Sequence, residues 1–331
     1  RIKQRQNTQT HIKESIILFL SFFPPHLPTA SSHYTTQLLL ISTPMTVITY
    51  WLTEHPTIVN FRWSPTQSYA ATWSFLFTAV SFYVISAVTL HLLLLLVILP
   101  LCHRRRGFSL GFIPALHSLT VSIISAVIFV GILLSAAAEI RDTRWLWRRT
   151  RTTALQWFLC FPVGTRASGR VFFWSYLFYL SRYLHLFRTF FSVIRRRKLS
   201  FFQLINQSSL LCISFLWLEY SQSFQVAAIL LTTVSYAVVY GYRFWTEIGL
   251  RGACYPFVVN CQAILLGCMT VCHVGVLCIH LVKRGGCNGI GAWLFNSVLN
   301  AVISLLYLKF YCKTRSMRTT KAKHTTTSKS I

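Results

Sequence analysis

The sequence predicts an all-α protein that is built into a membrane and crosses it about seven times. Three observations carry that reading. Of 331 residues, 54% are apolar and only 11% are charged, whereas a soluble domain carries about 25% charged residues. The apolar residues gather in seven runs free or nearly free of charge, each long enough for the roughly 20 residues that a helix needs to cross about 30 Å of hydrocarbon. The basic residues stand in short clusters between those runs, as positive loops between spans do.

The seven runs are 71–101, 108–138, 171–194, 199–218, 220–242, 252–282 and 285–308. Short alternating strands of the kind a membrane barrel needs are absent from the pattern. Helices satisfy the backbone in lipid, so each run is read as a helix. The clusters Arg104–Arg106 and Arg195–Lys198, Arg243 with Arg251, and the tail from Lys309 to Lys329 alternate with less basic connections. Placing them in the cytosol puts the start of the first span in the lumen. One loop opposes that rule: Arg141, Arg144, Arg148, Arg149 and Arg151 then sit on the luminal side, beside Glu139 and Asp142.

Residues 1–44 read differently, with a polar start, a short apolar run ending in Pro24–Pro25 and a first Met only at Met45. That segment is expected to be a disordered or mis-started extension. The membrane domain is expected over 45–312 and a basic cytosolic tail over 313–331. The balance of 32 Lys+Arg against 6 Asp+Glu would suit nucleic acid, but the clustered pattern argues for loops at a membrane, and no nucleic-acid partner is expected.

Single polar residues inside the runs have modest meanings. His91, His117, His273 and His280 stand alone, as helix-to-helix hydrogen-bonding histidines do. Asn296 and Asn300 either line a cavity or join helices, and the same holds for Gln262. Ten Cys residues are scattered and read as small hydrophobes. Cys268, Cys272 and His273 have helical spacing, yet no second ligand cluster supports a metal, and none is expected. Trp145, Trp147, Trp174, Trp217, Trp245 and Trp293 lie near span ends and read as headgroup-level anchors.

The richest polar constellation is in the third and fourth runs. Arg182, His185 and Thr189 stand at i, i+3 and i+7, one face of a helix, with Arg188 close by. Gln203, Asn206 and Gln207 stand at i, i+3 and i+4, again one face. Both stripes adjoin the cluster holding Arg195 and Arg196. Cations and amides beside an apolar interior suit an amphiphile with an anionic head, such as a coenzyme A thioester, whose phosphates Arg and Lys would take. A polar network that only joins helices fits the spacing equally well. With six acidic residues, catalysis by carboxylate pairs is nearly excluded.

At these residues the chain resembles the very-long-chain fatty-acid elongase (ELO) family, closest to its plant branch. The resemblance runs from about Thr49 to Cys312 and rests on "YWLTEHPTIVNFRWS", "ILLSAAAEIRDTRWLWRR", "SGRVFFWSYLFYLSRYLHLFRTFFSVIRRRK", "VVYGYRFW" and "CNGIGAWLFNSVLN" together. It implies seven helices, six of them closing around a narrow acyl tunnel, in the membrane of the endoplasmic reticulum. It implies condensation of a long-chain acyl-CoA with malonyl-CoA to a 3-oxoacyl-CoA, with release of carbon dioxide and coenzyme A. No bound cofactor is implied; the partners are both substrates, the bilayer, the reductase and dehydratase of the elongase complex, and a second copy in a homodimer.

The family's histidine box, HxxHH, aligns with Gln203, Asn206 and Gln207, so three imidazoles are amides here. An acidic position upstream is His185, and the family's Asp-Thr pair is Arg188–Thr189. Tyr236 stands where the family has a His ahead of its paired tyrosines, Tyr240 and Tyr242 match that pair, and Gln262 matches a glutamine of its sixth helix. The resemblance therefore marks Gln203, Asn206, Gln207 and His185 as the reaction centre, and Arg182, Arg188, Thr189, Arg195, Arg196, Tyr236, Tyr240 and Gln262 as substrate contacts. Amides can stabilise a thioester or enolate oxygen but cannot serve as nucleophiles or proton shuttles near neutral pH. Catalysis would then need direct condensation or His185; the alternative is a catalytically impaired subunit that binds acyl-CoA or regulates a true elongase, and a transporter is a third reading.

Overall fold

The computed structural model describes residues 44–98, 110–143, 153–195, 199, 201–250, 254–282 and 286–327. The chain divides into Arg1–Val47 and Ile48–Ile331; the expectation for 1–44 falls, but for Pro44, outside the described residues. The helices that bear on function all belong to the second unit.

The described residues of that unit hold no extended strand and seven long helices: α1 Trp73–Leu93, α2 Ile113–Asp142, α3 Arg170–Ile194, α4 Phe201–Glu219, α5 Gln225–Glu247, α6 Tyr255–Val282 and α7 Ile290–Thr327. Five of them, α1, α2, α4, α5 and α6, are long and apolar enough to cross a membrane. In α3 the apolar run is broken by Arg182 and Arg188, and in α7 only Ile290–Leu306 is apolar. The protein is thus a polytopic helical membrane protein. The helix α7 continues well beyond the span expected to end at 308.

Neighbouring helices pair in a closed order. α2 lies against both α3 and α5, α3 against α4, α5 against α6, and α4 against α7. His273 of α6 closes the circuit by hydrogen bonds to Ser297 at 2.9 Å and Asn300 at 3.3 Å on α7. α1 stands outside, on α3 and α4. Without a hydrophobic drive between helices in lipid, small residues decide where two backbones approach. α2 follows that rule: Ser118, Ser125, Gly131, Ser135 and Ala136 are on its buried side, and a methyl group at Gly131 would lie 2.3 Å from the Trp174 ring of α3.

The two ends of the bundle differ. One carries the basic residues that flank the C-termini of α3 and α5, where Arg195 and Glu247 pair at 3.4 Å. At the other, a disulfide joins Cys160, between α2 and α3, to Cys287, between α6 and α7. Asn288 knits that end together. Its side-chain amide donates toward the carbonyls of Tyr220 and Ser221, both at 3.1 Å, and of Thr165 at 3.3 Å. Its backbone N–H donates to Phe161 O, and Ser223 N–H donates to its carbonyl. Three connections, α2–α3, α4–α5 and α6–α7, thereby share one residue. Asp142 and Arg170 pair at 2.6 Å at the same end.

Two expectations need correction. Trp174, Trp217 and Trp293 are buried in the core rather than at the headgroup level, because their rings fill the space between helices; only Trp245 of the described four is exposed. Cys160 and Cys287 are covalently paired rather than apolar filler. The loop residues Arg144–Arg151 lie outside the described residues.

Candidate functional site at the basic end

The i, i+3, i+7 spacing on α3 does place Arg182, His185 and Thr189 inside the protein, at 3%, 2% and 0% exposure. Arg182 lies at the middle of α3, with its guanidinium carbon 4.0 Å from the Phe178 ring and 4.4 Å from the Tyr236 ring. His185 packs 4.6 Å from the same Tyr236 ring, and its Nδ1 is hydrogen-bonded to the Tyr240 hydroxyl at 2.9 Å. Its Nε2 has no hydrogen-bond partner among the described residues.

Tyr240 also forms part of the wall of a cavity of about 490 Å³ between α2, α3, α5 and the start of α6. Arg188, Arg195, Arg243, Glu247 and His117 line it too. The guanidinium groups of Arg188 and Arg243 stand 6.0 and 5.5 Å from the Tyr240 ring. His117 is held by Leu184 O at 2.9 Å, the helix-joining role expected of a lone histidine. The cavity is therefore a basic mouth with an aromatic floor, and His185 stands directly behind that floor.

The amide triplet is placed elsewhere. Gln203 Nε2 donates to Thr189 Oγ1 at 3.2 Å, and Thr189 is hydrogen-bonded to the Tyr83 hydroxyl of α1 at 2.7 Å. That chain ties α4, α3 and α1 together on the far side of α3 from the cavity. None of the described cavity-lining residues comes from α1 or α4. Asn206 and Gln207 are half-buried and make no side-chain hydrogen bond to a described residue. Gln262 is half-buried on α6, away from the lining residues. Arg196 lies outside the described residues. The structure thus groups His185, Tyr236 and Tyr240 with Arg182, sets Arg188 and Arg195 at the mouth, and separates Thr189 with Gln203. Two residues of this region, Tyr83 and Glu247, escape sequence reasoning; Tyr83 stands in an unbroken apolar run that gives no signal.

The profile of the GNS1/SUR4 family (ELO) matches residues 66–324. The chain belongs to this family. It is 62% identical over 271 residues to a fatty acid elongase 3-like protein of Arabidopsis thaliana, across 81% of this chain and 92% of that one. It is 24% identical over 245 residues to a putative fatty acid elongase of Dictyostelium discoideum, across 73% of this chain and 79% of that one. No solved structure matches the chain. These relatives make it an elongase-family membrane protein.

Proposed function

We propose that the protein condenses a long-chain acyl-CoA with malonyl-CoA, giving a 3-oxoacyl-CoA two carbons longer, carbon dioxide and free coenzyme A. The observation that carries this reading is His185, a buried imidazole whose Nδ1 is held by Tyr240 and whose Nε2 has no partner among the described residues. A held ring with one open nitrogen is the form an imidazole needs to act as nucleophile or general base. The basic mouth supplies Arg188, Arg195 and Arg243 for phosphates. The disulfide end faces an oxidising lumen and the basic mouth faces the cytosol, since disulfides persist in oxidising compartments. That orientation matches the excess of basic residues at the mouth and the endoplasmic reticulum as the site of action.

Incorporation of labelled malonyl-CoA into acyl-CoA by purified protein tests the reading. Product is expected with long-chain primers, and His185→Ala is expected to lower turnover in a folded protein. No product at any chain length, in detergent and in microsomes, would sink it. The bond from Gln203 to Thr189 favours a second reading, because a box position is used there to join helices. In that reading the protein is a non-catalytic subunit that binds acyl-CoA, co-purifies with reductase or dehydratase partners and leaves pathway flux indifferent to His185→Ala.

A further inference from the structure

Arg182 is a cation near the middle of α3, inside a bundle of membrane-spanning helices, 3% exposed. A charge at that depth is costly and is tolerated when something of opposite sign or strong acceptors meet it. The chain has six acidic residues, Glu14, Glu54, Glu139, Asp142, Glu219 and Glu247. None of those described pairs with Arg182; they stand at or near the ends of helices, with partners of their own such as Arg170 and Arg195.

The unpartnered atoms have a pattern. Arg182 Nε and Nη2 are both buried and without a hydrogen-bond partner among the described residues. These two nitrogens form one edge of the guanidinium, and their N–H bonds run nearly parallel, the geometry that grips two oxygens of one oxyanion at once. The Phe178 and Tyr236 rings lie over the group, so an approaching ligand meets the edge. His185, one turn along the same face, adds a third unpartnered nitrogen, Nε2, and touches the same Tyr236 ring.

We infer that the Arg182 edge is a carboxylate-binding subsite inside the bundle. A carboxylate fits better than a phosphate, because a single negative charge balances a single buried cation and a dianion would be left in excess among aromatic walls. Two sources carry that chemistry: the free carboxylate of a malonyl thioester and the head of an unesterified fatty acid. The inference rests on the elongase reading for its ligands and goes further by naming the group recognised and the residue that does it.

The test is equilibrium binding to the purified full-length protein in detergent with two matched pairs of probes. Malonyl-CoA against acetyl-CoA isolates the carboxylate of a thioester, and hexadecanoate against hexadecanol isolates that of a free acid. The carboxylate member of at least one pair is expected to bind tenfold or more tightly, and the pair that discriminates identifies the source. Arg182→Gln is expected to abolish the difference and Arg182→Lys to retain part of it. If Arg182→Gln does not fold, Arg182→Lys decides, by a reduced difference for the inference and an unchanged one against it. Equal affinities within both pairs, discrimination that survives Arg182→Gln, or no binding of any probe each overturn the inference. Malonyl incorporation separates the two levels: product without discrimination removes the subsite and leaves the elongase reading, whereas discrimination without product does the reverse.

Discussion

At the scale of single residues, Gly131 is where α2 makes room for a ring of α3. The Trp174 ring occupies the place where a methyl group would go, and that ring is held by a hydrogen bond from its Nε1 to Leu52 O at 3.0 Å. Gly131→Ala is therefore expected to overpack the contact and cost about 1–3 kcal/mol, read as a lower thermal midpoint in detergent. His185→Ala is expected to lower condensation by about 10²–10⁴-fold, the usual worth of a positioned acid or base, with the fold unchanged by size-exclusion profile. Gln203→Ala should act on stability instead, by about 0.6–2 kcal/mol, and leave the ratio of turnover to folded protein close to that of wild type. The i, i+3, i+7 spacing makes the burial of Arg182, His185 and Thr189 legible in the sequence. It cannot reveal that Thr189 turns to Tyr83 while His185 turns to Tyr240, because that choice belongs to which neighbour stands on each side of α3. Asn288 is equally hidden: an amide in a glycine-rich loop has no periodic signature, and its bonds to so many backbone groups exist only once three distant loops meet.

At the scale of elements, hydropathy locates the helices well because each has to satisfy its backbone alone in lipid. The apolar run 199–218 is α4 Phe201–Glu219, and the run 171–194 is α3 Arg170–Ile194. Ends are less legible, since α2 extends to Asp142 through charged residues that its apolar run does not include. The tryptophans depart from expectation for a related reason: position near a span end does not say whether a ring points to lipid or inward, and Trp174 and Trp217 point inward. Pairing of loops is likewise absent from a hydropathy profile. The disulfide spans 127 residues of sequence, and loss of such a cross-link costs about 2–5 kcal/mol. Cys287→Ser is expected to lower the thermal midpoint accordingly, and reduction of the wild type with a thiol reagent should bring it to the same value.

At the scale of the whole molecule, the proposed orientation is tested through the two unlike ends. In intact microsomes the basic tail over 313–331 is expected to be cut by added protease. Cys160 and Cys287 are expected to resist a membrane-impermeant maleimide until the vesicles are both opened and reduced; labelling of either thiol without opening would reverse the orientation. The same cross-link sets a condition on how the protein is made. On the proposed orientation Cys160 enters the lumen long before its partner exists, and at about 5–20 residues per second the intervening 127 residues take roughly 6–25 s to synthesise. Throughout that interval Cys160 is an open thiol among luminal oxidoreductases, and it can close correctly only after the sixth helix has delivered Cys287 to the same side. Closure of this bond is therefore a chemical record that the chain has been threaded to its second-last helix in the right sense, and a chain that inserts one helix backwards carries two thiols that never meet.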